Sequence, residues 1–204
     1  MRSKPGGLVL IILLLVIYHF LPTGLPLAKA KIHVGRTAGY VNPIGKGLIP
    51  GRIDQGVDYN YSSGPLYALG TGIIVNVYSS GWPGGTYIEL HLADGPDKGK
   101  YVYYAESITP AVRDGQHVRA GQRVGAATGC SACGIEVGWA APPSTCAQGC
   151  LAMAAVKGQR TAGLAAGDAG EYPTRCGVDF SNLIVSLGGR GGYTGGKAVQ
   201  GSSC

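Results

Sequence analysis

The chain has 204 residues, room for one compact domain with terminal extras and too few for two well-cored domains. Its 45% hydrophobic content excludes a wholly disordered chain, and 14% charged residues is too few for a coiled coil. The formal charge of +6 suggests nucleic acid until its origin is traced: Arg2, Lys4 and Lys29 fall in the first 30 residues and leave 14 basic against 11 acidic residues, with no Lys/Arg cluster, so no nucleic-acid partner is expected.

Residues 8–21 (LVLIILLLVIYHFL) form an apolar run behind Arg2 and Lys4 and before Pro22. At 1.5 Å per residue it reaches about 21 Å, short of the ~30 Å hydrocarbon core. With Ala28-Lys29-Ala30 behind it, residues 1–30 read as a signal peptide or an N-terminal membrane anchor, giving an exported domain with inner-membrane attachment through residues 8–21 in the second case. Residues 31–50 are a lead-in punctuated by glycine and proline.

From 51 to 140 the sequence turns to short β-type runs separated by turns, among 36 glycines and 12 prolines that follow no G-X-Y period. In 67–78, Ile73, Val75 and Val77 are expected on one face. In 86–92 (TYIELHL), Tyr87, Glu89 and His91 share one face and Ile88, Leu90 and Leu92 the other. The runs at 100–106 (KYVYYAE), 117–128 and 135–139 (IEVGW) complete a mainly β domain, a small antiparallel barrel or sandwich.

Residues 141–187 break this pattern: a disulfide-closed loop insertion, a short helix around 152–157, and a C-terminal element at 179–187 that Ser181 or Asn182 can cap if it is helical. Residues 188–204 are glycine-rich and read as a flexible tail that Cys204 can tether. Six cysteines (130, 133, 146, 150, 176 and 204) in an exported chain imply disulfides, with 15 connectivities left open.

Ordered motifs carry the functional reading. Asp54-Gln55-Gly56-Val57-Asp58 is followed by the stretch 65–75 with Ala68, Gly72 and Ile74, by Tyr104-Ala105-Glu106, by V-R-A-G-Q-R-V-G at 118–125, and by Gly134-Ile135-Glu136. This series resembles the lysostaphin-type peptidoglycan endopeptidases, zinc enzymes built on a duplicated hybrid-motif β-barrel, over about half of the chain. Their pattern runs H-x-G-x-D, A-x-x-x-G-x-V, Y-x-H-L, V-x-x-G-x-x-(V/I)-G and H-x-H. Here the first zinc histidine falls on Asp54, the zinc aspartate is kept as Asp58, the histidine of Y-x-H-L falls on Glu106, and H-x-H falls on Gly134 and Glu136. The chain's four histidines (19, 33, 91 and 117) stand elsewhere, and His91 reads as a half-exposed strand residue.

The resemblance implies that Asp54, Asp58, Glu106 and Glu136 line one acidic cleft, where repulsion demands a cation, a proton or a basic partner. Arg52 is the nearest base. Asp54, Asp58 and Glu136 are the expected ligands of a divalent cation (Ca, Mg, Mn or Zn), oxygen donors favouring the harder ions. Glu106 and Glu136 are the expected catalytic groups, and Arg52, Tyr59, Tyr104 and Trp139 the expected substrate groove, with Tyr61 and Trp82 as further stacking surfaces. The expected function is a cell-envelope protein with a degenerate domain of this type, binding or remodelling peptidoglycan or a related cell-wall glycan, alone or with an envelope protein partner. The alternatives are a glycosidase-like carboxylate hydrolase and a non-standard metal-dependent endopeptidase.

Overall fold

The computed structural model describes residues 37–60, 63–79, 85–129, 134–142, 151–159 and 172–204. The leader at 1–30, Tyr61, Trp82, His33 and the cysteines at 130, 133, 146 and 150 lie outside the described residues. Among those described, no helix is long and apolar enough to cross a membrane.

Among the described residues, ten strands and two helices follow one another. They are β1 (Ile49–Ile53), β2 (Val57–Asn60), β3 (Ser63–Tyr67), β4 (Gly72–Tyr78), β5 (Thr86–Leu92), β6 (Tyr101–Glu106), β7 (Ile108–Pro110), β8 (His117–Val118), β9 (Arg123–Thr128) and β10 (Gly134–Ala140), then α1 (Met153–Val156) and α2 (Arg175–Ser186). The protein is mainly β. A seven-stranded sheet has the order β1-β2-β10-β6-β5-β4-β8, and a three-stranded sheet the order β3-β9-β7. Every strand pairing within both is antiparallel.

Alternation explains which face is buried. Ile88, Leu90 and Leu92 of β5, Val102 and Tyr104 of β6, and Ile135, Val137 and Trp139 of β10 point to one side and join a single core with Leu66, Val124 and Ala127 of the smaller sheet. At roughly 25 cal/mol per Å² of apolar surface, this layer is the main favourable term in folding. The β4 expectation needs correction. A bulge between Ile74 and Asn76 shifts the register, so Ile74 and Val77 both reach the core while Asn76 turns to the other face.

Helix α2 packs on β10, β2 and β1 and closes the same core: Phe180 meets Trp139 edge-on with ring centroids 5.1 Å apart, and Leu183 and Ile184 join that core. The helix starts earlier than expected. Its cap is Thr174, whose Oγ1 accepts the Gly177 N–H at 3.0 Å, while Ser181 lies inside the helix and its Oγ accepts from Gly192 N.

Residues 188–204, expected to form a flexible tail, are fastened instead. Tyr193 exchanges backbone hydrogen bonds with Gly51 and Ile53 of β1, Gln200 bridges Thr174, and Cys204 is disulfide-bonded to Cys176. Glycine content left these backbone partners unread, because they are supplied by β1 and by the residues before α2.

Candidate functional site

The second face of the large sheet carries the acids. In β2 the even positions Asp58 and Asn60 share this face; in β10 they are Gly134, Glu136 and Gly138. Glu136 stands directly opposite Asp58 in the β2–β10 register and opposite Ala105 in the β6–β10 register. Asp54 comes from the turn between β1 and β2, where its N–H donates to the Gly56 carbonyl and its Oδ1 accepts the Gly56 N–H. That turn is held from behind: Thr174 donates both its N–H and its Oγ1–H to the Asp54 carbonyl, at 2.9 and 2.7 Å.

Carboxylate oxygens of Asp54, Asp58 and Glu136 all lie within 4.8 Å of one another, and all three side chains are buried. Among the described residues no histidine or cysteine joins this group. The counter-charge is Arg52. Its Nε donates to Asp58 Oδ2 at 2.8 Å and its terminal nitrogen lies 3.4 Å from Asp54 Oδ2. On the far side the Tyr103 hydroxyl donates to Glu136 Oε1.

Two glycines make room for this contact. A Cβ on Gly138 would fall 2.7 Å from Tyr103 Oη, and one on Gly56 would strike the same hydroxyl and lie 2.9 Å from Glu136 Oε1.

Burial pushes Asp58 well above the usual carboxylate range, helped by the charge of Asp54 and opposed by Arg52. Glu136 is raised for the same first reason, then by Asp54 and Asp58, with the Tyr103 bond pulling the other way. A guanidinium thus stands on one side of the cluster, and burial with mutual repulsion makes Asp58 and Glu136 hold a proton more tightly than free carboxylates do.

Glu106 is not one of the three close acids, although its charge also raises Asp58. It ends β6 with φ +83°, the one described non-glycine residue in the left-handed region, a conformation costing roughly 1–3 kcal/mol. Its Oε2 lies 3.3 Å from where a Gly134 Cβ would stand, and Asn60 Oδ1 lies 3.2 Å from the same point. The Asn60 amide also lies over Gly51, 2.7 Å from a Cβ built there. The result is a polar surface beside the acids in which Asn60 covers Gly51 and, with Glu106, stands over Gly134; Arg52, Asn60 and Glu106 are partly exposed.

Arg52 is therefore the one expected groove residue that meets the acids. Tyr59 and Trp139, at odd positions of β2 and β10, and Tyr104, at an even position of β6, all face the core. Tyr59 donates to the Arg190 carbonyl, Tyr104 to the Tyr67 carbonyl, and Trp139 Nε1 to Asp179 Oδ2. Their hydroxyl and indole groups gave them the look of a wet surface, but each has an internal acceptor. His91 is half-buried on β5, its ring stacked on Tyr101 with centroids 4.5 Å apart.

Sequence reading missed Asn60, Tyr103 and Thr174. The first two were accessible from period-two spacing, since Asn60 follows Asp58 by two and Tyr103 precedes Ala105 by two. Thr174 reaches the site only through the tertiary fold. The polar row continues past Tyr103 to Tyr87, whose ring stacks on it at 5.8 Å, and to buried Glu89, which accepts from Asn76 at 2.7 Å and is pushed up to about 7 by burial.

No family model matches the chain, and no curated protein matches it. Solved structures similar to it include peptidases. The solution structure of lysostaphin is 21% identical with a TM-score of 0.40, over 52% of this chain and 49% of that one. A zinc-containing peptidase from Vibrio cholerae is 19% identical with a TM-score of 0.38, over 50% of this chain and 36% of that one. The catalytic domain of the antimicrobial peptidase lysostaphin from Staphylococcus simulans is 26% identical with a TM-score of 0.35, over 50% of this chain and 81% of that one. The chain thus spans about half of the lysostaphin chain and less of the Vibrio peptidase.

Proposed function

We propose that this chain is an exported cell-envelope protein that binds peptidoglycan, or a related cell-wall glycan, in the groove beside Asp54, Asp58 and Glu136, without hydrolysing it. Export rests on the apolar run behind Arg2 and Lys4. The cell-wall ligand rests on the ordered motifs from Asp54 to Glu136.

One observation carries the loss of chemistry: Arg52 is ion-paired to two of the three acids that stand where the resembled peptidases keep zinc ligands. Three oxygens, no imidazole and a resident guanidinium do not fit a catalytic zinc, which usually keeps nitrogen or sulfur donors and an open position. The three acids are also buried, with no open face between them for a sugar ring. Asn60 and Glu106, by contrast, are partly exposed beside Gly134 and carry amide and carboxylate groups of the kind that meet hydroxyls and amides.

Pelleting the full chain with purified sacculi tests this. Retention in the pellet, with no new reducing ends or amino termini in the supernatant, is the expected result; Asn60→Ala with Glu106→Gln weakens retention about tenfold. Soluble fragments released by the wild-type chain overturn it.

A second reading follows from the closeness of the three oxygens. A hard divalent cation such as Ca²⁺ or Mn²⁺ can take the place of Arg52. Chelator-sensitive release of new amino termini is the result that favours this reading over binding alone.

A further inference from the structure

Across β2 from the acids lies a cleft of about 430 Å³, between residues 42–49 and the turn 188–190 that follows α2. That volume falls within the roughly 300–1,000 Å³ range of small-ligand sites. Its shape is set by backbone. Gly45 and Gly189 have no space for a Cβ, the first against the Pro65 carbonyl and the second against the Ile184 and Asn42 side chains, so these walls carry no side chains of their own.

What lines the cleft is one-sided. Lys46 and Arg190 stand exposed at its rim, and neither has a carboxylate partner among the described residues. Asn42 adds a donor: its Oδ1 is committed to the Ile44 N–H at 3.0 Å, which leaves Nδ2 facing Gly189. Among the described residues no acid lines the cleft. The Tyr59 hydroxyl is spent on the Arg190 carbonyl, and this bond ties the cationic residue to the floor. Ile44, Ile49 and the Tyr59 ring supply apolar surface.

From this set we propose that the cleft binds the terminal carboxylate of a peptide whose last residues are small and apolar. Two cations and an amide donor select an anionic oxygen group, and the guanidinium takes a carboxylate bidentately. A bare phosphate would satisfy the cations and leave the exposed parts of Ile44 and Ile49 against water, whereas short apolar side chains cover them. The proposal does not depend on the sacculus reading, because Tyr59 and Asp58 face opposite sides of β2.

The test is an NMR titration of the ¹⁵N-labelled full chain with acetyl-Ala-Ala, with its C-terminal amide, and with inorganic phosphate. Saturable shifts at the amides of Gly47, Gly188 and Gly189 are expected for the acid. The amide form binds about tenfold more weakly, and the double variant Lys46→Gln, Arg190→Gln loses the acid response while keeping its thermal midpoint. Both substituted side chains are exposed, and Asn42→Ala offers an independent variant that removes only the amide donor. Equal shifts from the capped peptide, an undiminished response in the double variant, or phosphate saturating the same amides at an equal or lower concentration would each overturn the assignment. Asn60→Ala with Glu106→Gln leaves this titration unchanged, which separates it from the sacculus assay.

Discussion

Arg52 Nε and Asp58 Oδ2 are 2.8 Å apart, so the charge needed to hold a buried carboxylate next to two others comes from the preceding strand of the same hairpin. Replacing Arg52 by Met removes that charge and leaves the apolar stem. Because the Arg52 side chain is 41% exposed, the loss of stability is expected at about 1–2 kcal/mol at pH 8. The same variant should bind Ca²⁺ or Mn²⁺ at least about tenfold more tightly than wild type. Thermal unfolding and calorimetric titration with each ion check both halves, and unchanged ion affinity would show that Arg52 does not occupy the cation's place.

Gly138→Ala puts a methyl group 2.7 Å from Tyr103 Oη and 2.9 Å from Gly56 Cα. Overpacking and displacement of the Tyr103 hydroxyl from Glu136 together should reduce stability by about 2–4 kcal/mol. Denaturant unfolding measures it. A loss under about 0.5 kcal/mol, the level of an ordinary surface change, would mean that the two strands separate easily at this point.

Thr174→Ala removes both the helix cap and one hydrogen bond to the Asp54 carbonyl, while Thr174→Ser keeps them. The alanine variant should lose about 1–2 kcal/mol and the serine variant most of that back. Amide hydrogen exchange at Gly56, whose N–H is bonded to Asp54 Oδ1, should speed up in the alanine variant alone.

Glu89 gives the fold a pH dependence of known sign. Its pKa is raised from 4.5 to about 7 by burial, against the opposing Asn76 bond. The folded state therefore holds the proton more tightly than the unfolded one. Its contribution is fully present below pH ~4.5 and is lost as pH rises through 7, on the order of 3 kcal/mol at most. Glu89→Gln keeps the acceptor for Asn76 and cannot ionise, so the variant should gain on wild type between pH 5 and 8. Unfolding free energies at both pH values test this; parallel curves for the two proteins would refute it.

The sequence made the sheet legible where alternation was unbroken. TYIELHL divides between core and acid face as its spacing dictates, and Asp58 and Glu136 share a face for the same reason. Reading failed where the period slipped or the chain returned from afar. The bulge after Ile74 inverted the expected faces of β4 and hid Asn76 as the partner of Glu89. Trp139 and Tyr59 looked like ligand-stacking groups, and only the later arrival of α2 and the 188–190 turn reveals what covers them. Local pattern reports on strand faces; it is silent about which distant segment settles on them.

The contact of Tyr193 with Arg52 has a further result. β1 is the outermost strand of the large sheet, and an outermost strand offers unpaired backbone groups on which another molecule can build. With Tyr193 hydrogen-bonded to Gly51 and Ile53, and its segment locked in place by Cys204, that template is already taken. Residues 191–204 thus cover part of an edge on which a second copy could otherwise pair its strand, and reducing the Cys176–Cys204 disulfide is expected to show as clumping before unfolding.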